Sequence, residues 1–233
     1  MSDSKIKTVL QQHGVTHNTT VLLYGRDMSS AARAANIMMY AGVKDVRLIN
    51  GGWKAWESAK YPIESLKINH AKPAEFGAVI PQHPEYITDL TQAKTLLKDR
   101  EHSSLVSIRS WPEFIGKTSG YSYIKPKGRI KGARWGHAGT DSNHLQDFHN
   151  PDGTMISPDI ITKHWNQWNI YFDQKVAFYC GTGWRASEAF FYAYVMGWKH
   201  ISVFDGGWYE WSSDPSDPVA RGPVATPQKL LVH

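Results

Sequence analysis

The residue of this sequence best suited to covalent chemistry is its single cysteine, Cys180. A lone cysteine is more often a small buried hydrophobe than a nucleophile, so its context has to decide. Cys180 opens the hexapeptide Cys-Gly-Thr-Gly-Trp-Arg. Gly181 and Gly183 let the backbone curl so that several N–H groups point inward, and such a nest binds anions. The pattern predicts a thiolate nucleophile above an anion-binding loop, with Arg185 adding positive charge at the rim.

Two predicted elements position this loop. Residues 176–179 form a short apolar run that indicates a buried strand, and residues 186–196 predict a helix of small residues ending near Gly197. Ligands of α/β sheets bind at the carboxyl ends of parallel strands. The first turn of a helix also offers unpaired N–H groups and the positive end of its dipole. We therefore expect Cys180 to lie at a ligand-binding edge of a sheet.

An internal repeat supports this interpretation. Residues 21–56 and 176–211 match without gaps at an offset of 155 residues, and ten of the 36 positions are identical. Both copies follow the order strand, helix, strand, Gly-Gly-Trp-x-x-Trp, which predicts a parallel strand pair joined by a right-handed crossover. The fold class is therefore α/β. Gly25 occupies the position of Cys180, so the first copy has the scaffold without the nucleophile.

The net charge and the distribution of apolar and basic residues limit the kinds of partner that this protein can bind. A net charge of +5 and a pI of about 9.1 suit a small anionic substrate or an acidic partner. No apolar run approaches the roughly 18 residues that span a bilayer, so we expect no membrane partner. We also expect no nucleic-acid partner, because the basic residues form no nucleic-acid-binding motif. One basic cluster favours a solvated loop: Lys125, Lys127, Arg129, Lys131 and Arg134.

A polar stretch superficially resembles a metal site through Asp141, His144, Asp147 and His149. The spacing of these side chains fits no zinc pattern, and the stretch ends in Asn-Pro-Asp-Gly, which is typical of a turn. We predict neither a metal nor another cofactor.

Three motifs carry a resemblance to a known family. With SIRSWPEF near its start, CGTGWR as its loop and GGWYEW near its end, the second copy resembles a rhodanese domain. The first copy resembles the inactive rhodanese domain that usually precedes it. The resemblance covers nearly the whole chain and implies tandem rhodanese-like domains, each a parallel sheet flanked by helices. One departure is that the usual Asp-x-Arg is Ser107-Ile108-Arg109, which leaves Glu113 as the nearest acidic partner for Arg109.

The resemblance implies a ping-pong sulfurtransferase. Catalytic Cys180 would take a sulfane sulfur from a small anionic donor, such as thiosulfate or 3-mercaptopyruvate, and hold it as a persulfide. A thiophilic acceptor would then remove that sulfur. The residues expected to bind substrate are Gly181, Thr182, Gly183, Trp184, Arg185 and Arg109.

The domains are expected to be unequal. We predict a partial inactive rhodanese-like domain at 1–65, a linker at 66–84 and a catalytic rhodanese domain at 85–233. The predicted first strand of the second copy, 105–108, would have its counterpart about 50 residues before Met1, so we expect the first domain to be incomplete at its N-terminus. A full-length form with the export signal of a relative would be periplasmic, whereas the chain as given would be cytoplasmic.

Two other functions remain open from the residues. The chain could be a persulfide carrier that accepts sulfur from a cysteine desulfurase, or serves a thiol protein, through the basic cluster at 125–134. It could instead be a cysteine phosphatase, which also sets a thiolate under a nest of N–H groups with an Arg. Phosphatase loops place one more residue between Cys and Arg, so the shorter loop here favours a sulfur atom over a tetrahedral phosphate.

Overall fold

The structure is a computed structural model and describes residues 1–65 and 74–224; the predicted linker residues 66–73 lie outside them. The first unit contains the elements α1 (Asp3–Gln12), β1 (Thr20–Leu23), α2 (Met28–Ala41), β2 (Asp45–Leu48) and α3 (Gly52–Ser58). Strands β1 and β2 pair in parallel, with Thr20 opposite Asp45. Helix α2 is the crossover between them, so the predicted strand–helix–strand order is confirmed.

The second unit is built around a larger parallel sheet. Its strands are β3 (Ile87–Thr88), β4 (Ser103–Ser107), β5 (Arg129–Ile130), β6 (Arg134–Trp135), β7 (Lys175–Tyr179), β8 (Ile201–Phe204) and β9 (Val219–Ala220). Its helices are α4 (Leu90–Leu96), α5 (Trp111–Phe114), α6 (Pro158–Asn166), α7 (Trp184–Val195) and α8 (Gly207–Ser213). The sheet has the order β3-β8-β7-β4-β6, and β5 and β9 form a separate antiparallel pair.

The middle of this sheet is buried on both faces. Strand β4 is buried along its whole length, and β7 is buried from Val176 onward. Burial along most of the strand is typical of parallel strands covered by helices on both sides. Strand β7 lies between β4 and β8, so the residue that follows it, Cys180, stands at the centre of the carboxyl edge.

The predicted elements around Cys180 exist, but helix α7 starts earlier than predicted. Helix α2 begins at Met28, because the Asp27 side chain caps it by accepting from the Ser29 N–H. Helix α7 begins at Trp184 and not at 186, after Gly183 in a left-handed conformation.

The two units pack against each other through α2 and α7. Ala35 and Met39 of α2 belong to the same buried apolar cluster as Ala189 and Phe190 of α7. The Arg33 guanidinium also forms an ion pair with Asp205, which follows β8. Within 1–65 and 74–224, no helix combines the length and apolarity needed to cross a membrane.

Part of the predicted linker packs on the first unit. Phe76 is fully buried in a cluster with Ile6, Leu10 and Val43. Residues 74–83 form no helix or strand.

Candidate active site

Cys180 lies between β7 and α7 and is almost completely buried. The Cys180 carbonyl accepts from the Trp208 N–H at 2.8 Å, and the Gly181 carbonyl accepts from the Tyr209 N–H at 3.0 Å. Both donors belong to the second Gly-Gly-Trp-x-x-Trp motif, which forms the first turn of α8. The motif therefore anchors the backbone of the cysteine loop through these two hydrogen bonds.

Two glycines of the loop lie in close contact with neighbouring side chains. Gly183 has φ +85°, and a Cβ there would lie 2.8 Å from the Asp205 Oδ1 atom. A Cβ on Gly181 would lie 2.3 Å from the ring of Tyr121. A side chain at either position would therefore displace Asp205 or Tyr121, and at Gly183 the positive φ adds backbone strain.

Several backbone donors surround the loop. Trp184, Arg185 and Ala186 form the first turn of α7. Their backbone N–H groups therefore have no acceptor within the helix. The Gly181 N–H is already used, because it donates to the Tyr121 hydroxyl at 3.1 Å. These unpaired N–H groups lie at the start of α7, at the positive end of the helix dipole.

Arg185 is not at the rim, where the sequence interpretation placed it. Its side chain is buried, and Nη1 and Nη2 donate to the two Glu113 carboxylate oxygens at 3.0 Å each. Burial opposes the charge of Arg185, but Tyr121 and the Glu113 carboxylate raise the pKa of the guanidinium. The Arg185 guanidinium is therefore permanently charged, and the Glu113 carboxylate balances that charge.

Arg109 is also buried and is not among the residues that line the cysteine cavity. Its Nε donates to Glu113 at 3.3 Å, which confirms the predicted pairing. Its other nitrogens donate to the carbonyls of Gly128 and Ser119 at 2.8 and 3.1 Å. Arg109 therefore holds the segment 119–128 in place, in contrast to the substrate contact predicted for it.

Tyr121 is a site residue that the sequence interpretation missed. Its hydroxyl accepts from both the Gly181 N–H and the Arg185 Nη2 group. Burial and the neighbouring Cys180 raise the pKa of Tyr121, so the phenol stays protonated. Tyr121 lies in an irregular segment, and no spacing in the sequence marks it as close to Cys180.

A cavity of about 620 Å³ opens over the cysteine. Its lining comprises Arg26, Asp27, Ser29, Tyr121, Tyr123, Ser142, Asn143, His144, Cys180, Thr182, Trp184 and Arg185. The structure thus brings Cys180, Thr182, Trp184 and Arg185 together, as predicted. The first unit contributes three of the lining residues from the loop that occupies the position of the cysteine loop.

The side chains that superficially resembled metal ligands point to separate partners. The Asp141 carboxylate pairs with His144 at 2.7 Å, and Asp147 pairs with His137 at 3.6 Å. His149 donates to Glu188 at 2.5 Å. Among the described residues no three His, Cys, Asp or Glu side chains could hold a metal ion.

The basic cluster at 125–134 is not one solvated face. Arg129 is buried and donates to the carbonyl of Gly222 at 2.9 Å. Arg134 turns inward and donates to Ser104, Asn169 and Arg100. Only the three lysines of the cluster are exposed.

Comparison with known sequences gives related proteins over most of the chain. The profile of the rhodanese-like domain matches residues 1–59 and 89–214. Thiosulfate sulfurtransferase YnjE of Escherichia coli K12 is 62% identical over 223 residues, which cover 95% of this chain and 51% of that protein. Sulfur carrier protein TtuD of Thermus thermophilus is 28% identical over 229 residues, covering 95% of this chain and 78% of that protein. The chain therefore spans about half the length of YnjE.

Solved structures agree with the fold. The crystal structure of YnjE has a TM-score of 0.95 and 61% identity, covering 97% of this chain and 54% of that one. The anaerobic ergothioneine biosynthesis enzyme of Chlorobium limicola, solved with trimethyl histidine, has a TM-score of 0.93 and 43% identity. The match covers 96% of this chain and 56% of the enzyme.

Proposed function

The chain belongs to the rhodanese-like family, and from this premise we propose that it is a sulfurtransferase working through a Cys180 persulfide. The observation that most supports the proposal is the position of Cys180. It lies at the carboxyl end of the central strand, beside the free N–H groups that begin α7, and in the wall of a cavity. These N–H groups suit an anionic sulfur atom.

The proposed reaction has two half-reactions. The Cys180 thiolate attacks the outer sulfur of thiosulfate, the sulfur–sulfur bond breaks, and sulfite leaves with the bonding electron pair. In the second half-reaction an acceptor thiolate or cyanide attacks the terminal sulfur of the persulfide. The sulfur leaves with the acceptor and Cys180 returns as the thiolate, so no external oxidant or reductant is needed.

We propose different tasks for the residues around Cys180. Thr182 and Trp184 shape the cavity, and the N–H groups at the start of α7 hold the terminal sulfur. The hydrogen bonds among Tyr121, Arg185, Glu113 and the Gly181 N–H hold the cysteine loop in position. We also propose that residues 85–233 form the catalytic domain, that residues 1–65 form a partial inactive one, and that residues 66–84 link them.

The test is cyanide-dependent formation of thiocyanate, with thiosulfate and 3-mercaptopyruvate as separate donors. Thiosulfate is the donor expected from the similarity to YnjE. Cys180→Ser should abolish turnover and leave the thermal unfolding curve unchanged. Mass spectrometry should find one added sulfur on Cys180 in the wild-type chain after the donor alone. Turnover retained in Cys180→Ser would refute the proposal.

A carrier function is the second candidate, favoured by the similarity to the sulfur carrier protein TtuD. Tyr123 and Trp184 line the cavity with exposed aromatic side chains, and the exposed Tyr209 lies next to Tyr123; these rings offer a contact surface to a protein donor. A cysteine desulfurase would then load Cys180 faster than thiosulfate does. Charge reversal at Lys125, Lys127 and Lys131 should slow only the desulfurase reaction if those lysines form the docking face.

The phosphatase alternative is disfavoured by Arg185. Both terminal nitrogens of Arg185 donate hydrogen bonds to the Glu113 carboxylate, so the guanidinium is not available to bind a phosphate. Incubation with an aryl phosphate distinguishes a phosphatase from a sulfurtransferase. Release of phosphate without thiocyanate formation would support the phosphatase.

A further inference from the structure

The loop of the first unit that corresponds to the cysteine loop forms part of the Cys180 cavity. It contributes Arg26, Asp27 and Ser29 to the lining. We propose that Arg26 is the residue that recognises the anionic group of the sulfur donor. The proposal rests on the proposed sulfurtransferase function and assigns a donor-binding role to the unit that lacks a cysteine.

The charges of the cavity leave this role to Arg26. Arg185 is matched by the Glu113 carboxylate, and His144 is paired with Asp141. Among the described lining residues, Arg26 is the one arginine or lysine without a carboxylate partner. Its side chain is exposed, and its guanidinium lies 5.6 Å from the centre of the Trp53 ring. An aromatic ring orients a guanidinium without neutralising its charge.

The neighbouring Asp27 does not neutralise Arg26. The two Asp27 carboxylate oxygens accept from the Ser29 N–H at 3.0 Å and from the Ser30 hydroxyl at 2.6 Å. These bonds cap helix α2 and turn the carboxylate toward the start of that helix. The guanidinium of Arg26 therefore remains available to a ligand.

The loop that carries Arg26 is fastened to the catalytic unit. The Ser29 hydroxyl donates to the buried Glu188 carboxylate at 2.8 Å, and His149 donates to the other oxygen of that carboxylate at 2.5 Å. The Arg33–Asp205 ion pair lies against Gly183 of the cysteine loop. Arg26 is therefore held on the same cavity as Cys180, although the two residues are far apart in sequence.

The chemistry of the donor fits a guanidinium. Thiosulfate carries a sulfonate-like group and 3-mercaptopyruvate a carboxylate, and both offer two oxygens in a plane to a planar fork of N–H donors. When the outer sulfur is transferred from thiosulfate, the charged group leaves as sulfite. Arg26 would hold that group in both the substrate and the leaving state, so its removal should weaken binding more than it slows transfer.

A binding experiment tests the proposal without turnover. Thiosulfate is titrated into Cys180→Ser and followed by tryptophan fluorescence, since Trp184 lines the cavity. Adding Arg26→Ala should raise Kd about tenfold, and adding Arg26→Lys should give an intermediate value because the fork is lost but the charge is kept. The control is Lys54→Ala, which removes one positive charge from the first unit outside the lining of the Cys180 cavity.

A kinetic experiment completes the test on the chain with Cys180 intact. Arg26→Ala should raise KM for thiosulfate about tenfold with kcat changed less than twofold, and it should leave KM unchanged for a persulfide donor that carries no sulfonate or carboxylate group. An equal loss with thiosulfate and with the donor that lacks a sulfonate or carboxylate group, or an unchanged Kd and KM for thiosulfate, would overturn the role of Arg26. Failure of the wild-type chain to form a persulfide, with the Arg26-dependent binding intact, would overturn the proposed function alone.

Discussion

The Arg185 guanidinium and the Glu113 carboxylate form a two-pronged ion pair beneath the cysteine loop, with both N–H···O distances at 3.0 Å. Glu113 also accepts from Arg109 and from the backbone and side chain of Ser110. One buried carboxylate thus connects the end of β4 to the first turn of α7. The orientation of the cysteine loop depends on this connection.

Glu113→Gln should destabilise the protein. The substitution keeps the shape of the side chain but leaves two buried guanidinium groups without a counter-ion, and breaking a buried pair in this way costs about 3–5 kcal/mol. Denaturant unfolding followed by circular dichroism measures the effect. The exposed Glu57→Gln is the matched control and should change stability by less than about 0.5 kcal/mol. A loss no larger than that of the control would contradict the assigned role of Glu113.

The stabilisation supplied by Glu113 should depend on pH. Burial opposes ionisation of this carboxyl, but Arg185 and Arg109 more than compensate and lower its pKa in the folded protein. A lowered folded-state pKa means that the stabilisation is complete above the unfolded-state pKa of about 4.3 and is lost as the pH falls through the folded-state value. The difference in unfolding free energy between wild type and Glu113→Gln should be constant near neutral pH and shrink in acid. A difference that grows on acidification would show that another group is responsible.

Tyr121→Phe should slow sulfur transfer. The hydroxyl accepts from the Gly181 N–H and from Arg185, and burial keeps it protonated by raising its pKa. Removing it leaves both donors without this acceptor, so the loop should lose its fixed position, and kcat should fall roughly 10- to 100-fold. Steady-state thiocyanate formation measures the change. Tyr194→Phe removes a hydroxyl from a half-exposed tyrosine on α7, and kcat should not change in this control.

The sequence was sufficient to predict the scaffold of the site. The apolar run before Cys180, the two loop glycines and the small-residue helix are neighbours along the chain, so local patterns determine them. The repeat also predicted that the strands pair in parallel, because each copy has a helix between two consecutive strands. The Arg109–Glu113 pair was also predictable, since the two residues are four positions apart and enclose the start of α5.

The contacts across the cavity were not predictable, because they join residues far apart in the chain. Arg185 was expected to add its positive charge at the rim of the loop. It is buried because Glu113 and Tyr121 are brought over it from segments 72 and 64 residues away. Arg26 reaches the same cavity only through the packing of α2 against α7. No local pattern encodes these distances.

Gly183→Ala should cost both stability and activity, and the chain contains a matched control. Gly183 and Gly197 have nearly the same φ, +85° and +86°, but a Cβ on Gly197 would meet nothing within 4 Å. Gly197→Ala should therefore show only the conformational cost of a left-handed residue, about 1–2 kcal/mol. Gly183→Ala should lose more, because its Cβ collides with Asp205 Oδ1 and disturbs the Arg33–Asp205 pair as well as the cysteine loop. Unfolding free energies and rates of thiocyanate formation for the two variants compare the sites directly. Equal losses of stability, with normal turnover in both variants, would show that the loop tolerates the collision.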